Sequence, residues 1–506
     1  MISRLALAAF CAALLAPGDP ADWKAVEADF KKAWSAPSPA GGLEARAEAV
    51  RSLDSWHDAR IVPLCVLALE ACEKRGEAGL KEAAALEAEW LTLQRKELSK
   101  EEWARHDLIE AERKEMAARA LAEAEIEDAI VRLLSTRDGD AVAAALAREG
   151  GKHASWRIRA LSYRAIGAKD SGAAVEALLK GLSDADPRVR TAAADGIVER
   201  EAKTPIDPLI LALAKEKEWG VKVAIAGALS RLRDAKSVGP LVSALAREEG
   251  RVKEEVAAAL AAITGQKFGA DARAWRDWFK KNAAEEDTIL SPFPPQAEAV
   301  PARGVTFQGI ETRSRGIVFV LDISDSMNDA SGETDLPADG STPDRSGKRR
   351  SKIDVMRDEL VAAIRALDEK AMFNVVLYNH QVKVWQPGKL VAANSSNKNL
   401  ALSFLLKEPA TGGTNIFDAV EKAFTLAGLG ATDKNYRSAV DTIFLVSDGA
   451  PSAGRILEPA KILEEVGRMN SLRKVKIHTV GVGVLHDRAF LERLARESGG
   501  KYVARL

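Results

Sequence analysis

Four segments of this chain align without gaps: SWRIRALSYRAI, DPRVRTAAADGI, EWGVKVAIAGAL and EGRVKEEVAAAL. Their matching apolar positions are Ile158, Val189, Val221 and Val252, at steps of 31, 32 and 31 residues. Eight residues further on, Ile166, Ile197, Leu229 and Leu260 repeat the same steps. A second apolar stretch with helical spacing follows each of the first three, as AAVEALLKGL, IDPLILALAKE and VGPLVSALARE. Each unit is thus a helix pair. One such pair cannot bury its apolar face alone, so neighbours must stack, and the stacking makes the core. Asp186 followed by Pro187 suits a helix start, as N-cap and first helical residue.

The pattern resembles HEAT-like repeats of a short kind, since the usual HEAT period is about 40 to 47 residues. It lacks the sequence marks of ankyrin or tetratricopeptide repeats. Ala45 to Ala71 reads as one more, degenerate unit, and Leu80 to Glu127, rich in Ala, Glu, Leu, Lys and Arg, as a helical hairpin or coiled-coil-like insertion. Ile263 to Asn282 closes the array, and its Trp275, Trp278 and Phe279 either cap the last apolar face or bind a partner. The expected all-α solenoid covers residues 22–282. Cys65 and Cys72 lie seven residues apart on a helical pattern, about 10 Å along one face. That exceeds disulfide reach, so both read as buried thiols.

The N-terminus, MISRLALAAFCAALLAPGDPADW, has Arg4, an apolar run from Leu5 to Ala16, then small residues and Pro. This is the layout of an export signal over residues 1–21. The run is shorter than the roughly 20 residues a bilayer span needs. Cys11 follows Phe10, where a lipoprotein signal has a small residue. The expected location is therefore outside the cytoplasm, whether periplasmic, cell-surface or secreted, with no membrane span.

Residues 283–304, with Pro292, Pro294, Pro295 and Pro301, read as a stiffened linker. Beyond it the character changes. IVFVL is followed by SKIDVMRDELVAAIRAL, FNVVLY, VKVW, GGTNIFDAVEKAFTLAG, TIFLVS, EPAKILEEVGRM, VKIHTVGVG, DRAFLERLARES and YVARL. Apolar strands alternating with amphipathic helices predict a mostly parallel sheet with helices on both faces. In such a doubly wound α/β fold, ligands sit beyond the carboxyl ends of the strands, near the reversal of strand order.

Oxygen-bearing side chains follow the buried strands. The first strand delivers Asp322, Ser324 and Ser326, and TIFLVSDGAP delivers Asp448. Between them TGGTNIFDAV presents Thr411 and Thr414 at a helix start. Such a set suits a hard divalent cation, Mg²⁺ or Mn²⁺, with Ca²⁺ also open. Two carboxylates nearly balance its charge, so an external carboxylate can still be attracted. Gly412 and Gly413 let the loop come close to the ion.

Residues 305–506 resemble a von Willebrand factor type A domain. Asp322-x-Ser324-x-Ser326, Thr414 in GGTNI and Asp448 in SDG match its metal-ion-dependent adhesion site in chain order. The resemblance implies a doubly wound, Rossmann-like sheet, a bound Mg²⁺ and a protein ligand presenting an Asp or Glu carboxylate. It implies coordination by the two serines and the threonine, with the aspartates often acting through water. Two departures stand out. Asp325 lies between the serines where Gly is common, and the insert Asn328 to Arg350 separates the metal loop from the first helix. That insert is either a solvated loop or a lid. Ser351 should cap the helix that follows, with Asp354 three residues on.

The chain has 29% charged residues and a formal net charge of −1, which argues against a dominant nucleic-acid role. No G-x-S-x-G, H-E-x-x-H or P-loop pattern occurs, and the six histidines show no metal-ligand spacing. The expected protein is therefore a non-enzymatic binding protein with no catalytic residues. Two interaction surfaces are expected, the type A domain and the solenoid. The alternative is a scaffold that acts through the solenoid, with a structural, metal-independent type A domain.

Overall fold

The computed structural model describes residues 20–35, 42–93, 99–198, 204–282, 305–331, 350–426 and 440–505. The apolar leader, the Pro-rich stretch 283–304 and residues 332–349 of the insert lie outside them. The chain divides into two compact units, Met1–Thr204 and Pro205–Leu506. The seam falls within the repeat region.

The first unit is helical: α1 (Pro20–Ser35), α2 (Gly42–Arg51), α3 (Ile61–Leu93), α4 (Lys100–Ser135), α5 (Asp140–Glu149), α6 (Trp156–Gly167), α7 (Gly172–Gly181) and α8 (Pro187–Gly196). The hairpin expected over residues 80–127 is the distal part of α3 and α4. Arg105 on α4 pairs with Glu89 on α3 at 2.7 Å. Ser99 and Glu102 form a reciprocal capping box where α4 begins. The repeat positions Ile158, Ile166, Val189 and Ile197 are all buried. Asp186 caps α8 by accepting from the Arg188 amide, and the Arg188 guanidinium lies 3.4 Å from the Trp156 ring centre. Cys65 and Cys72 are free and buried, and burial pushes both thiols up to about 12.

The second unit opens with α9 (Asp207–Lys215), α10 (Trp219–Leu232), α11 (Val238–Arg247), α12 (Gly250–Thr264) and α13 (Ala272–Asn282). Val221, Leu229, Val252 and Leu260 are buried as the period predicts. Trp275 is fully buried, packs edge-on against Phe268 and Trp278, and donates its indole N–H to Gly269 O. It is therefore a core residue.

The sheet region of this unit comprises β1 (Val305–Phe307), β2 (Ile310–Thr312), β3 (Gly316–Asp322), α14 (Lys352–Ala366), β4 (Met372–Tyr378), β5 (Val382–Val384), β6 (Val391–Ala392), α15 (Ser395–Lys407), α16 (Ile416–Thr425), β7 (Thr442–Ser447), α17 (Pro459–Asn470), β8 (Lys476–Val482), α18 (Arg488–Glu497) and β9 (Tyr502–Arg505). β1 and β2 form a separate antiparallel hairpin. The main sheet runs β5-β4-β3-β7-β8-β9, with β6 also on β4. β4, β3, β7, β8 and β9 are parallel, and β5 and β6 are antiparallel.

Every residue of β3 is buried, as a central strand covered on both faces requires. Ile317, Phe319 and Leu321 join a core with Ile353, Met356 and Leu360 of α14 and Leu405 of α15. Val318 and Val320 point the other way, on the face that α16 covers. Strand order reverses between β3 and β7, so their carboxyl ends meet at the switch point.

α12 docks on the opposite, amino-terminal edge of this sheet. Buried Arg251 donates from Nη1 to Asp441 O at 2.6 Å, just before β7, and from Nε to Glu255 at 3.1 Å. Lys476, the first residue of β8, pairs with Glu255 at 2.6 Å. Glu254 accepts from the Arg313 amide just before β3. The last repeat and the sheet are thus held by a partly buried polar seam.

Candidate metal centre

Four of the five oxygen donors of the adhesion-site motif form one bonded cluster. β3 ends on Asp322, whose carboxyl is fully buried. Its Oδ1 accepts from the Ser324 amide at 2.9 Å and its Oδ2 from the Ser447 hydroxyl at 3.0 Å. The Ser324 and Ser326 hydroxyls lie 3.2 Å apart, and Ser326 donates to Asp448 Oδ1 at 2.8 Å. Asp448 is 1% exposed and follows directly on β7.

Thr414, the fifth donor, is also buried and lies beside them. A Cβ built on Gly449 would stand 3.8 Å from its Oγ1. Its position is fixed by Ser452, whose hydroxyl accepts from the Thr414 amide at 2.9 Å and whose amide donates to Thr414 O at 3.0 Å. Asn415 caps α16 by accepting from the Asp418 amide.

The main chain knits the loops together. Ile323 N donates to Tyr378 O at 2.7 Å, Thr411 N to Ile323 O at 2.8 Å, and Asp325 N to Gly412 O at 2.9 Å. Gly412 has φ +78°, and a Cβ there would stand 2.1 Å from His380 Nδ1. The Gly pair was expected to let the loop approach an ion. What position 412 needs of glycine is a left-handed backbone packed against an imidazole.

No Lys or Arg pairs with Asp322 among the described residues. Burial, and to a lesser extent the neighbouring Asp448 carboxylate, push the Asp322 carboxyl up to about 7, against the bonds from Ser324 and Ser447. Tyr378, paired in register with Asp322 on β4, forms the floor and donates to Val446 O at 2.9 Å. Burial raises its phenol well above the usual tyrosine range.

Three participants went unread in the sequence as site residues: Ser447, Ser452 and Lys352. Lys352 begins α14, and its ammonium donates to Asp448 Oδ2 at 2.9 Å. Its position directly after the helix cap Ser351, at the first strand-to-helix connection, was the available signal. Ser351 does cap α14, accepting from the Asp354 amide. Asp325, the extra carboxylate of the motif, is exposed, whereas Ser324 beside it is buried.

A family model described as von Willebrand factor type A domain matches residues 343–504, and one described as HEAT repeats matches residues 144–221. The carboxyl-terminal region is a von Willebrand factor type A domain. Inter-alpha-trypsin inhibitor heavy chain H4 of Homo sapiens is 32% identical over 196 residues, which is 38% of this chain and 18% of that protein. Heavy chain H2 of Sus scrofa is 30% identical over 190 residues, 37% of this chain and 17% of the relative. The chain thus spans less than a fifth of either relative. Among solved structures, a von Willebrand factor type A protein from Catenulispora acidiphila is similar at 20% identity and a TM-score of 0.29, covering 39% of this chain and 40% of its own.

Proposed function

We propose that this is a binding protein whose type A domain holds a divalent cation, Mg²⁺ or Mn²⁺, and through it an acidic side chain of a protein partner. The observation that carries the reading is Asp322. It is a fully buried carboxyl with no cationic partner of its own, set among the hydroxyls of Ser324, Ser326 and Ser447 beside a second carboxylate. A buried carboxylate is costly unless a cation or strong donors meet it. The residues that would hold the ion are Asp322, Ser324, Ser326, Thr414 and Asp448, an all-oxygen set that fits a hard cation. When bound, such an ion offers an electrophilic coordination position to a carboxylate oxygen. The chain's own part is to fix the donors: Ser447 orients Asp322, Ser452 fixes Thr414, and the 2.9 Å bond from Asp325 N to Gly412 O joins their loops.

The face around the site supports a protein ligand. Gly483, against Lys352, leads into Val484 and Leu485, which are 79% and 77% exposed. An exposed apolar pair at the rim of a charged site suits a partner with apolar residues beside its carboxylate. The protein acts outside the cytoplasm under this reading, with residues 1–21 as an export signal. The described residues include no helix long and apolar enough to cross a membrane. Domain limits of 22–282 and 305–506, and a second partner on the helical repeats, complete the proposal, and it assigns no catalytic role.

The test is a pull-down of envelope proteins from the source organism by the whole mature chain, with and without EDTA. Partners lost with EDTA and with Ser324→Ala support the reading. One observation favours the scaffold alternative: Lys352 already neutralises Asp448 at 2.9 Å. Under that alternative the same partners survive both treatments and are retained by residues 22–282 alone.

A further inference from the structure

Lys352 is a buried cation among the residues proposed above to hold a divalent ion. Its residue is 6% exposed, and the side chains of the Lys352–Asp448 pair are 8% and 0% exposed. The ammonium lies 2.9 Å from Asp448 Oδ2, 3.2 Å from Ser326 O and 3.5 Å from Asp329 Oδ2. Its stem is confined as well. The loop after β8 packs against it, since a Cβ on Gly483 would stand 2.9 Å from Lys352 Cε. A surface lysine can swing away from an arriving ion into water. This one is buried between the loop after β8 and two of the residues that would bind the ion.

We propose that Lys352 is a tethered counter-cation that competes with a divalent ion for Asp448 and so weakens ion binding. The inference rests on the metal reading above. Asp322 and Asp448 contribute −2 when ionised, and Lys352 contributes +1, so the site presents −1 rather than −2. Asp325 and Asp329 are exposed and count for less, because solvent and salt screen them. The ion therefore meets half the charge that the motif alone suggests, and the buried setting makes the difference strong. The same sum leaves an ion-loaded site at +1 where the motif alone gives zero. This revises the expectation of a nearly balanced site and favours an anionic partner.

The experiment is calorimetric titration of Mn²⁺ alone into the full-length protein and into Lys352→Met, Lys352→Gln and Lys352→Arg. Thermal melts in EDTA establish that each variant is folded, and either neutral variant suffices. The glutamine keeps an N–H donor for Asp448 without the charge, and the arginine keeps the charge. Neutral variants should bind Mn²⁺ at least about tenfold more tightly than wild type, and Lys352→Arg within about threefold of it. A wild type that binds no ion, beside neutral variants that do, also supports the proposal, because the lysine then blocks the site. Neutral variants that bind as wild type does, or more weakly, overturn it and make Lys352 a positioning residue for Asp448. If no variant and no wild type binds Mn²⁺, the metal reading falls together with it.

Discussion

Gly412→Ala is the change whose cost can be worked from the site's own geometry. The residue has φ +78°, where a Cβ costs about 1–2 kcal/mol for an L-residue. That Cβ would stand 2.1 Å from His380 Nδ1, so the ring must leave its position. His380 is exposed and can turn outward, at a cost of order 1 kcal/mol for an off-rotamer side chain. The total is about 2–3 kcal/mol. At roughly 2–4 °C per kcal/mol for a domain of this size, the transition should fall by about 4–12 °C. Differential scanning calorimetry of the full-length protein in EDTA measures it. The two terms separate in a His380→Gly background, where the clash is gone and the backbone term stays, so the fall should shrink by about a third to a half. A fall under about 1 °C in the wild-type background would refute the reasoning outright. A fall that vanishes in the His380→Gly background would refute its backbone half. Because Gly412 O accepts from Asp325 N and the neighbouring Thr411 N donates to Ile323 O, the variant should also bind divalent ions several-fold more weakly.

Three further outcomes are expected. Arg251→Met removes the guanidinium that joins α12 to the sheet, and should cost about 3 kcal/mol in urea unfolding, the lower end for a broken buried pair, because Glu255 keeps Lys476 at 2.6 Å; an unchanged midpoint would show that the seam carries no stability. His478, 4% exposed and stacked 4.9 Å from Phe444, is held down to about 3 by burial and then by Lys476, Lys501 and Arg251. Its contribution is fully present above the unfolded value near 6.5 and is lost as pH falls towards 3, so His478→Asn should flatten stability against pH over that window, and an unaltered slope would contradict the assignment. Asp448→Ala leaves Lys352 buried without its carboxylate and should lower stability by about 3 kcal/mol even in EDTA, whereas Ser326→Ala should cost about 1 kcal/mol or less; equal effects would mean that the ion pair is not structural.

The repeat was legible because a period is a property of the chain: Ile158, Val189, Val221 and Val252 are each buried where the period puts them. The buried strands were legible for a similar reason, since a strand covered on both faces carries an unbroken apolar run such as that from Ile317 to Leu321. α15 was not foreseen. Its first turn, Ser395 to Lys398, is polar and poor in helix formers, and its start depends on a cap in which Asn394 accepts from the Asn397 amide. The β1–β2 hairpin was missed because three-residue strands hold too few residues to show a period. At the site, the donors that follow strands in a fixed motif could be read, and the supports could not. Ser447 and Ser452 lie at the end of β7 and in the loop after it, Lys352 at the start of α14, and only the fold brings Lys352 within 2.9 Å of an aspartate 96 residues away. The docking of α12 on the sheet is likewise a matter of tertiary placement, since Arg251 and Asp441 lie 190 residues apart.

Asp322 and its neighbours are proposed to hold a divalent cation. Calorimetric titration of Mg²⁺ and of Mn²⁺ into the full-length protein, beside Asp322→Ala and Ser324→Ala, tests it most directly. The wild type should bind one ion per chain, at a site lost in Asp322→Ala and weakened in Ser324→Ala. A wild type that takes up neither ion, or an Asp322→Ala variant that binds as the wild type does, would contradict it.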